Sequence, residues 1–235
     1  MIIFHVYMIF LYMVNLIQNW NKSYKKFENH LIYPNEEVVR FVANHINIKK
    51  KKLNYNKKLL DFGCGAGRHL KFSLENGFYT IGLEVSDVAL KQAKHFLNFN
   101  KFRKNTYKLI KTLDSVIPLK NNSIDYLIAD GVLDSMMTKD ILASIEEIFR
   151  IIKNNGLIYI SLMSDKTMRK GKFLNKFDQL ISESHENKTV QSYFNYKRIK
   201  KLFKNFKIVE LYTMNKILNN KIVNGRHTLI LKVVK

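Results

Sequence analysis

A short apolar run that ends in an acid and breaks at once into three alternating glycines, Leu59-Leu60-Asp61-Phe62-Gly63-Cys64-Gly65-Ala66-Gly67, constrains this chain more than any other stretch. The run reads as a buried parallel strand, since near-continuous apolar residues suit a strand covered on both faces. Gly63, Gly65 and Gly67 let the backbone turn tightly and bring its N–H groups against a ligand that a side chain would hold away. Arg68-His69-Leu70 then opens an amphipathic helix whose apolar positions include Leu70, Phe72 and Leu74. A second apolar run, residues 79–83, ends in Glu84, seventeen positions after Gly67. An acid at the tip of the second strand of a βαβ unit is placed to accept hydrogen bonds from two ribose hydroxyls.

Two ligand classes use such a loop. A dinucleotide site wants G-x-G-x-x-G, which seats a pyrophosphate on the helix N-terminus. Here the spacing is G-x-G-x-G, position 68 is Arg, and Asp61 stands two residues ahead of Gly63. A carboxylate there repels a pyrophosphate and suits a ligand that carries an ammonium group. The segment resembles motif I of the class I S-adenosylmethionine (SAM)-dependent methyltransferases, and Glu84 matches that family's ribose-binding acid. The resemblance implies that Asp61 holds the amino-acid end of SAM and that Gly63, Cys64, Gly65, Gly67 and Val85 lie against the cofactor. It also implies that Asp114, with Ser115 beside it, borders the adenine at the end of strand three, and that Asp130 ends strand four against the cofactor.

The resemblance runs on through residues 55–165. Asn121-Asn122-Ser123-Ile124-Asp125-Tyr126-Leu127-Ile128-Ala129-Asp130 is similar to the family's fourth strand, and Ile117-Pro118-Leu119 to the Leu-Pro-Phe connection before it. Residues 141–152 form an apolar-periodic helix that stops at Phe149-Arg150-Ile151-Ile152-Lys153-Asn154-Asn155-Gly156, similar to the family's R-x-L-K-P-G-G stop. Asn154 and Asn155 replace Pro and Gly there, and Asn tolerates the left-handed conformation such a turn needs. The expected architecture is α/β: a Rossmann-like, doubly wound seven-stranded sheet, mostly parallel with a C-terminal antiparallel strand. Strand three is expected over residues 107–111, strand five over 156–163, and a closing pair over 206–214 and 228–234, joined by a turn with Asn219, Asn220 and Gly225.

At 235 residues the chain fits one such domain, residues 18–235, with room for a full core. Cys64 is the lone cysteine, which excludes an internal disulfide and agrees with a reducing, cytoplasmic compartment. Its place between two glycines argues for a small packed residue, not a catalytic thiol. The net charge of +21 invites a nucleic-acid partner. Only seven of the 40 basic residues are Arg, however, and the Lys, Asn and Ile richness is what A+T-rich coding produces whatever the function. The charge is scattered, with Lys49 to Lys52 its one compact run. Nucleic acid is therefore disfavoured as a partner.

Residues 1–17 are apolar except for His5 and Asn15, with no basic residue ahead of them. A secretory signal would carry a basic n-region and a small-residue cleavage site. Seventeen residues sit at the lower limit for a membrane span, and as an anchor the segment would hold the domain at a membrane, with Lys22, Lys25 and Lys26 behind it on the cytoplasmic side. The competing expectation is extra sequence upstream of a start near Met13, which the domain-like character from Asn19 onward favours. Residues 18–57 read as a helical cap. Pro34 is expected at helix position N1, Glu36 and Glu37 in the first turn complement the helix dipole, and Val38, Val39, Phe41, Val42 and Ile46 form the apolar face. In similar enzymes such a helix covers the cofactor, which would bring Trp20, Tyr24 and Tyr33 to the pocket.

Residues 164–195 are polar and leave the sheet at the edge where ligands of doubly wound folds bind, so they are expected to form a substrate lid. Within it His185 and Tyr193 are candidate catalytic residues, with Glu183 and Phe194 beside them. Absences narrow the acceptor. The Asn/Asp-Pro-Pro-Tyr/Phe motif of amino-group methylation of bases or glutamine is replaced here by Asp130-Gly131-Val132-Leu133, and Cys64 is committed to the loop. Asp130, Asp134 and Asp165 lack a recognised metal-ligand spacing, and no metal is expected. The resulting expectation is a SAM-dependent methyltransferase acting on O or N of a small polar molecule such as a sugar or polysaccharide precursor. An RNA or protein methyltransferase and a SAM-binding regulator without turnover are the alternatives.

Overall fold

The glycine-bounded strand is apolar without alternation because helices cover both of its faces. In the computed structural model, which describes residues 15, 17–26, 31–46, 54–112, 116–167, 169–183, 186 and 188–235, this strand is β1 (Lys58–Phe62). It pairs in parallel with β2 (Tyr79–Glu84) on one side and β4 (Ile124–Asp130) on the other. β3 (Tyr107–Lys111) extends the sheet beyond β2, and β5 (Ile152–Met163) beyond β4. A long antiparallel hairpin, β9 (Phe206–Leu218) and β10 (Lys221–Val233), completes the sheet, in order β3-β2-β1-β4-β5-β10-β9. The expected fold class is the one observed.

Adjacent residues serve opposite layers. Leu59, Ile128, Tyr159 and Ile230 pack under α2 (Glu36–His45) with Val38, Phe41 and Val42. Leu60, Leu127, Ile158 and Ile160 face α5 (Thr138–Ile151) through Ile141, Ile145 and Ile148. α3 (Arg68–Glu75) and α4 (Asp87–Phe99) contribute Leu70, Leu74, Ala93 and Leu97 to a third cluster around Cys64. Residues 17–25 form α1. Residues 1–14, with the anchor-or-extension question they raise, lie outside the described residues. Among the described residues no helix is long and apolar enough to cross a membrane.

Three expectations shift in detail. Pro34 is not N1: Asn35 is the cap of α2, its side-chain oxygen accepting from the Glu37 N–H at 3.0 Å, so the helix starts at Glu36. β5 begins at Ile152, four residues early, because the register slips between Ile124 and Tyr126 and lets residues 153–156 bulge out. Asn155 sits at φ +64° in that bulge, the left-handed conformation anticipated for it. The hairpin turns at Asn219 and Asn220 alone, whereas Gly225 lies within β10 opposite Asn215 and donates to Thr167 Oγ1 at 2.6 Å.

Residues 164–195 hold a small antiparallel sheet, β6 (Gly171–Phe173), β7 (Asp178–Ile181) and β8 (Val190–Ser192). Its tie to the main body is polar. Buried Asp178 accepts from the Thr138 N–H at 3.2 Å, from Asn175 Nδ2 at 2.8 Å and from the Thr138 and Ser192 hydroxyls. Arg198, on α6 (Tyr196–Leu202), lies between the Phe177 and Phe194 rings at 4.3 Å from each centroid and donates to Thr138 Oγ1 at 2.8 Å.

Candidate functional site

The carboxyl ends of β1, β2 and β4 converge on one cavity of about 540 Å³. Its floor is the loop from β1 to α3. The N–H groups of Gly63 and Cys64 both donate to the Leu83 carbonyl, at 2.8 and 2.9 Å, which ties the loop to β2. Gly63 has φ +74°, and a Cβ there would meet Val132 Cγ2 at 2.4 Å. Gly65 has φ +51°, and a Cβ there would meet the Tyr24 hydroxyl at 2.5 Å. Both positions thus require glycine for conformation and for space.

Glu84 ends β2 with its carboxylate turned back on the loop. Oε2 accepts from the Gly65 N–H at 3.0 Å, and Oε1 from Val85 and Ser86 N–H at 2.8 and 2.9 Å. Burial pushes its carboxyl above the ordinary range against the pull of those three N–H groups. Asp61 is buried at 1 % exposure. Its Oδ1 lies 3.9 Å from His69 Nδ1, and its Oδ2 has no partner among the described residues. A buried carboxylate oxygen left single is costly and marks a place for a donor from a ligand. The Asn35 N–H donates to His69 Nε2 at 3.2 Å.

Asp130, at the end of β4, is the most heavily bonded acid of the cavity. Arg68 Nη2 donates to its Oδ2 at 2.8 Å, Ser161 Oγ to its Oδ1 at 2.5 Å, and Asn35 Nδ2 lies 3.2 and 3.3 Å from the two oxygens. Burial works against its charge, and His69, Arg226 and Arg68 together outweigh it, so the carboxyl titrates below its ordinary range. From the cap, Trp20, Tyr24, Leu31 and Asn35 close the walls. Tyr24 is placed as expected, but Tyr33 is 78 % exposed and does not line the cavity. Leu31 and Asn35, on either side of it, line the cavity instead.

Of the residues singled out for the cofactor, Gly63, Cys64, Gly65, Glu84, Val85 and Asp130 line this one cavity. Gly67 is the cap residue of α3 at the base of the loop. Asp114 and Ser115 lie outside the described residues, as does His185. Thr112, just after β3, is on the wall at that end. Tyr193 is not on the cavity wall: it is 5 % exposed, its hydroxyl donates to Gln179 Oε1, and its ring packs on Phe173. Phe194 is core, and Glu183 pairs with Arg169. Asp134 is buried, accepting from the Met163 N–H at 2.9 Å. Among the described residues no group of three acids, histidines or cysteines is arranged to hold a metal.

Sequence reasoning missed Asn35, His69 and Arg226, all on the wall. His69 follows the glycine loop, so the motif itself pointed near it. Arg226 had no such signal, because only the antiparallel pairing of β10 with β5 brings it to Met163 and hence to the cavity.

Residues 60–160 match the family model described as "Methyltransferase domain". An uncharacterized protein of Methanocaldococcus jannaschii is 28% identical over 136 residues, 58% of this chain and 55% of that protein. The aligned part is thus about half the length of that relative. Among solved structures, a SAM-dependent methyltransferase from Methanosarcina mazei superposes with a TM-score of 0.62 at 16% identity, covering 80% of this chain and 97% of that one. Magnesium protoporphyrin IX methyltransferase from Synechocystis, with bound SAM, gives 0.61 at 14% identity over 84% and 77%. The chain therefore shares the fold of these SAM-dependent methyltransferases, and its residues 60–160 are similar to a methyltransferase domain.

Proposed function

We propose that this chain is a SAM-dependent methyltransferase that transfers a methyl group to O or N of a small polar molecule. The observation that carries the reading is the unpartnered Oδ2 of buried Asp61, set in the same crevice as the glycine loop and the Glu84 carboxylate. Bound SAM supplies a methyl group already activated on a sulfonium. The chain's residues then bind, orient and exclude water. Asp61 Oδ2 takes an N–H of the cofactor's ammonium, a charge-assisted contact in a dry place. Glu84, held by three backbone N–H groups, keeps one acceptor lone pair, on Oε2, for a ribose hydroxyl. The Gly65 backbone lets the ligand approach, and Tyr24 and Trp20 on α1 roof it.

The small-molecule reading is favoured by a cavity of about 540 Å³, walled by the N-terminal cap on one side and by Glu186 of the 164–195 segment on another. That volume suits one small ligand beside a cofactor and not a polymer chain. The cap and that segment serve, in this reading, as roof and acceptor-side wall. The small sheet and the Asp178 and Arg198 anchors favour a wall held in place over a loop that orders only on binding. The buried lone thiol at Cys64 fits the reducing cytoplasm.

Calorimetry tests the cofactor step: SAM and S-adenosylhomocysteine should compete for one micromolar site, about 8 kcal/mol of binding free energy. Preference for NAD with no heat from either ligand would overturn it. Labelled SAM with fractionated metabolites, RNA and protein then separates the acceptor classes, and tight binding with no transfer to any fraction would indicate a regulator.

A further inference from the structure

Among the described residues, Arg226 is the one cationic side chain of the cavity that comes from the far, antiparallel side of the sheet. It stands on β10 opposite Met163 of β5, four strand spacings from β2 and Glu84, about 19 Å of sheet width. Gly131, just beyond the carboxyl end of β4, lies beside Arg226, and Ser135 and Met136 line the same cavity. Its Nη2 is held twice, donating to Asp134 Oδ2 at 2.9 Å and to Ser161 Oγ at 3.1 Å. Nε and Nη1 have no partner among the described residues, and 28 % of the side chain is exposed, facing the cavity. Burial works against the guanidinium's charge, but Asp134 and Asp130 more than compensate and keep it protonated. Gly131 keeps the approach open, since a Cβ there would come within 3.3 Å of Nη2. The other cavity arginine, Arg68, already serves Asp130.

A guanidinium fixed through one nitrogen presents the rest of its planar fork in a set direction, which is the geometry that recognises a carboxylate or a phosphate. We propose that Arg226 anchors an anionic group, carboxylate or phosphate, on the methyl acceptor. The inference rests on the methyltransferase reading above and narrows its substrate to an acid. If Arg226 were only the counter-ion of Asp134, its removal would change stability and leave acceptor preference untouched.

The test uses the full chain with methyl-labelled SAM and a pool of small metabolites split on an anion exchanger. Label should appear from the retained pool, and transfer only from the flow-through would overturn the proposal. Alkaline phosphatase treatment of the retained pool abolishes acceptance if the anchor reads a phosphate monoester. Blocking carboxyls with carbodiimide and methylamine does so if it reads a carboxylate, and acceptance surviving both treatments counts against it. Arg226→Gln combined with Asp134→Asn removes both members of the ion pair and avoids a stranded buried charge. This variant should hold SAM within about twofold yet transfer label to the retained pool about 10- to 100-fold more slowly, the loss of one charge-assisted contact. Unchanged transfer, or a matching loss of SAM affinity, refutes the assignment. Phenylglyoxal modification of Arg226, read by mass spectrometry without SAM, should be slowed by the retained pool and not by the flow-through. Protection in a chain that binds no SAM would remove the methyltransferase reading and keep the anion site; SAM binding without protection would remove the anion site alone.

Discussion

Glu84→Gln is the sharpest perturbation of the cofactor crevice, because the side chain keeps its size while its hydrogen-bond roles divide. The carboxylate accepts three backbone N–H groups, two on Oε1 and one on Oε2. A glutamine has one acceptor oxygen, which best stays with Val85 and Ser86, so its NH₂ group faces the Gly65 N–H, donor against donor. Leaving one buried N–H unpaired costs about 1–3 kcal/mol of stability. Part of this is offset, since the change also removes a charge that burial disfavours. The net expectation at neutral pH is about 1–2 kcal/mol, read as a lower urea midpoint with an unchanged slope. The effect on SAM is larger: exchanging a charged acceptor for an amide donor under the ribose costs about 1.5–3 kcal/mol, or about 10- to 100-fold in Kd by calorimetry. The sign of the pH dependence follows from a folded pKa raised above the ordinary 4.5. Wild-type stability from this group is full below 4.5 and is lost as pH rises through the higher folded value, and the variant should lack that loss. A cooperatively folded Glu84→Gln protein that binds SAM within twofold of wild type would refute the ribose assignment.

Asp61→Asn should weaken SAM by a comparable 1.5–3 kcal/mol. It should leave urea stability equal or slightly higher, because Asp61 Oδ2 has no partner among the described residues; a large loss of stability would instead make Asp61 structural. Asp178→Asn should lower stability by about 1–3 kcal/mol by disturbing the bonds to Thr138, Asn175 and Ser192. Although burial opposes its charge, those bonds hold the Asp178 carboxyl below the ordinary 3.8. Its contribution is therefore present above 3.8 and fades as pH falls through the lower folded value, so wild type and variant should converge in acid urea melts. Removing residues 1–14 should leave a cooperatively unfolding chain that binds SAM with unchanged affinity, since the glycine loop, Glu84 and the other described residues of the cavity wall lie downstream; aggregation or lost binding would make that segment part of the domain.

Much of the cavity wall around the glycine loop was readable in one dimension. The glycine loop and its two acids lie within 26 consecutive residues, 59–84, and a βαβ unit converts that short spacing into proximity by local geometry alone. The turn at Asn155 was readable for the same reason, because a left-handed residue is a property of one peptide unit. The cap of α2 shifted by one residue because Pro34 and Asn35 both suit a helix start, and only the side-chain bond to Glu37 decides between them. Likewise Tyr193 carries a hydroxyl that the sequence places near the ligand edge, but its contact with Gln179 turns it into the small sheet.

By itself, then, the sequence determined the class of the fold and the residues of the glycine loop and Glu84 that line the cavity, all through local periodicity and spacing. Tertiary structure alone decided the opposite wall of the cavity. Asn35, Asp130, Ser161 and Arg226 meet across α2, β4, β5 and β10, and no short-range pattern links them. The decisive contact is the antiparallel register that sets Arg226 opposite Met163. A slip of one residue there would turn its side chain to the other face of the sheet, so Arg226 reaches the cavity only once the long-range pairing of β10 with β5 is made.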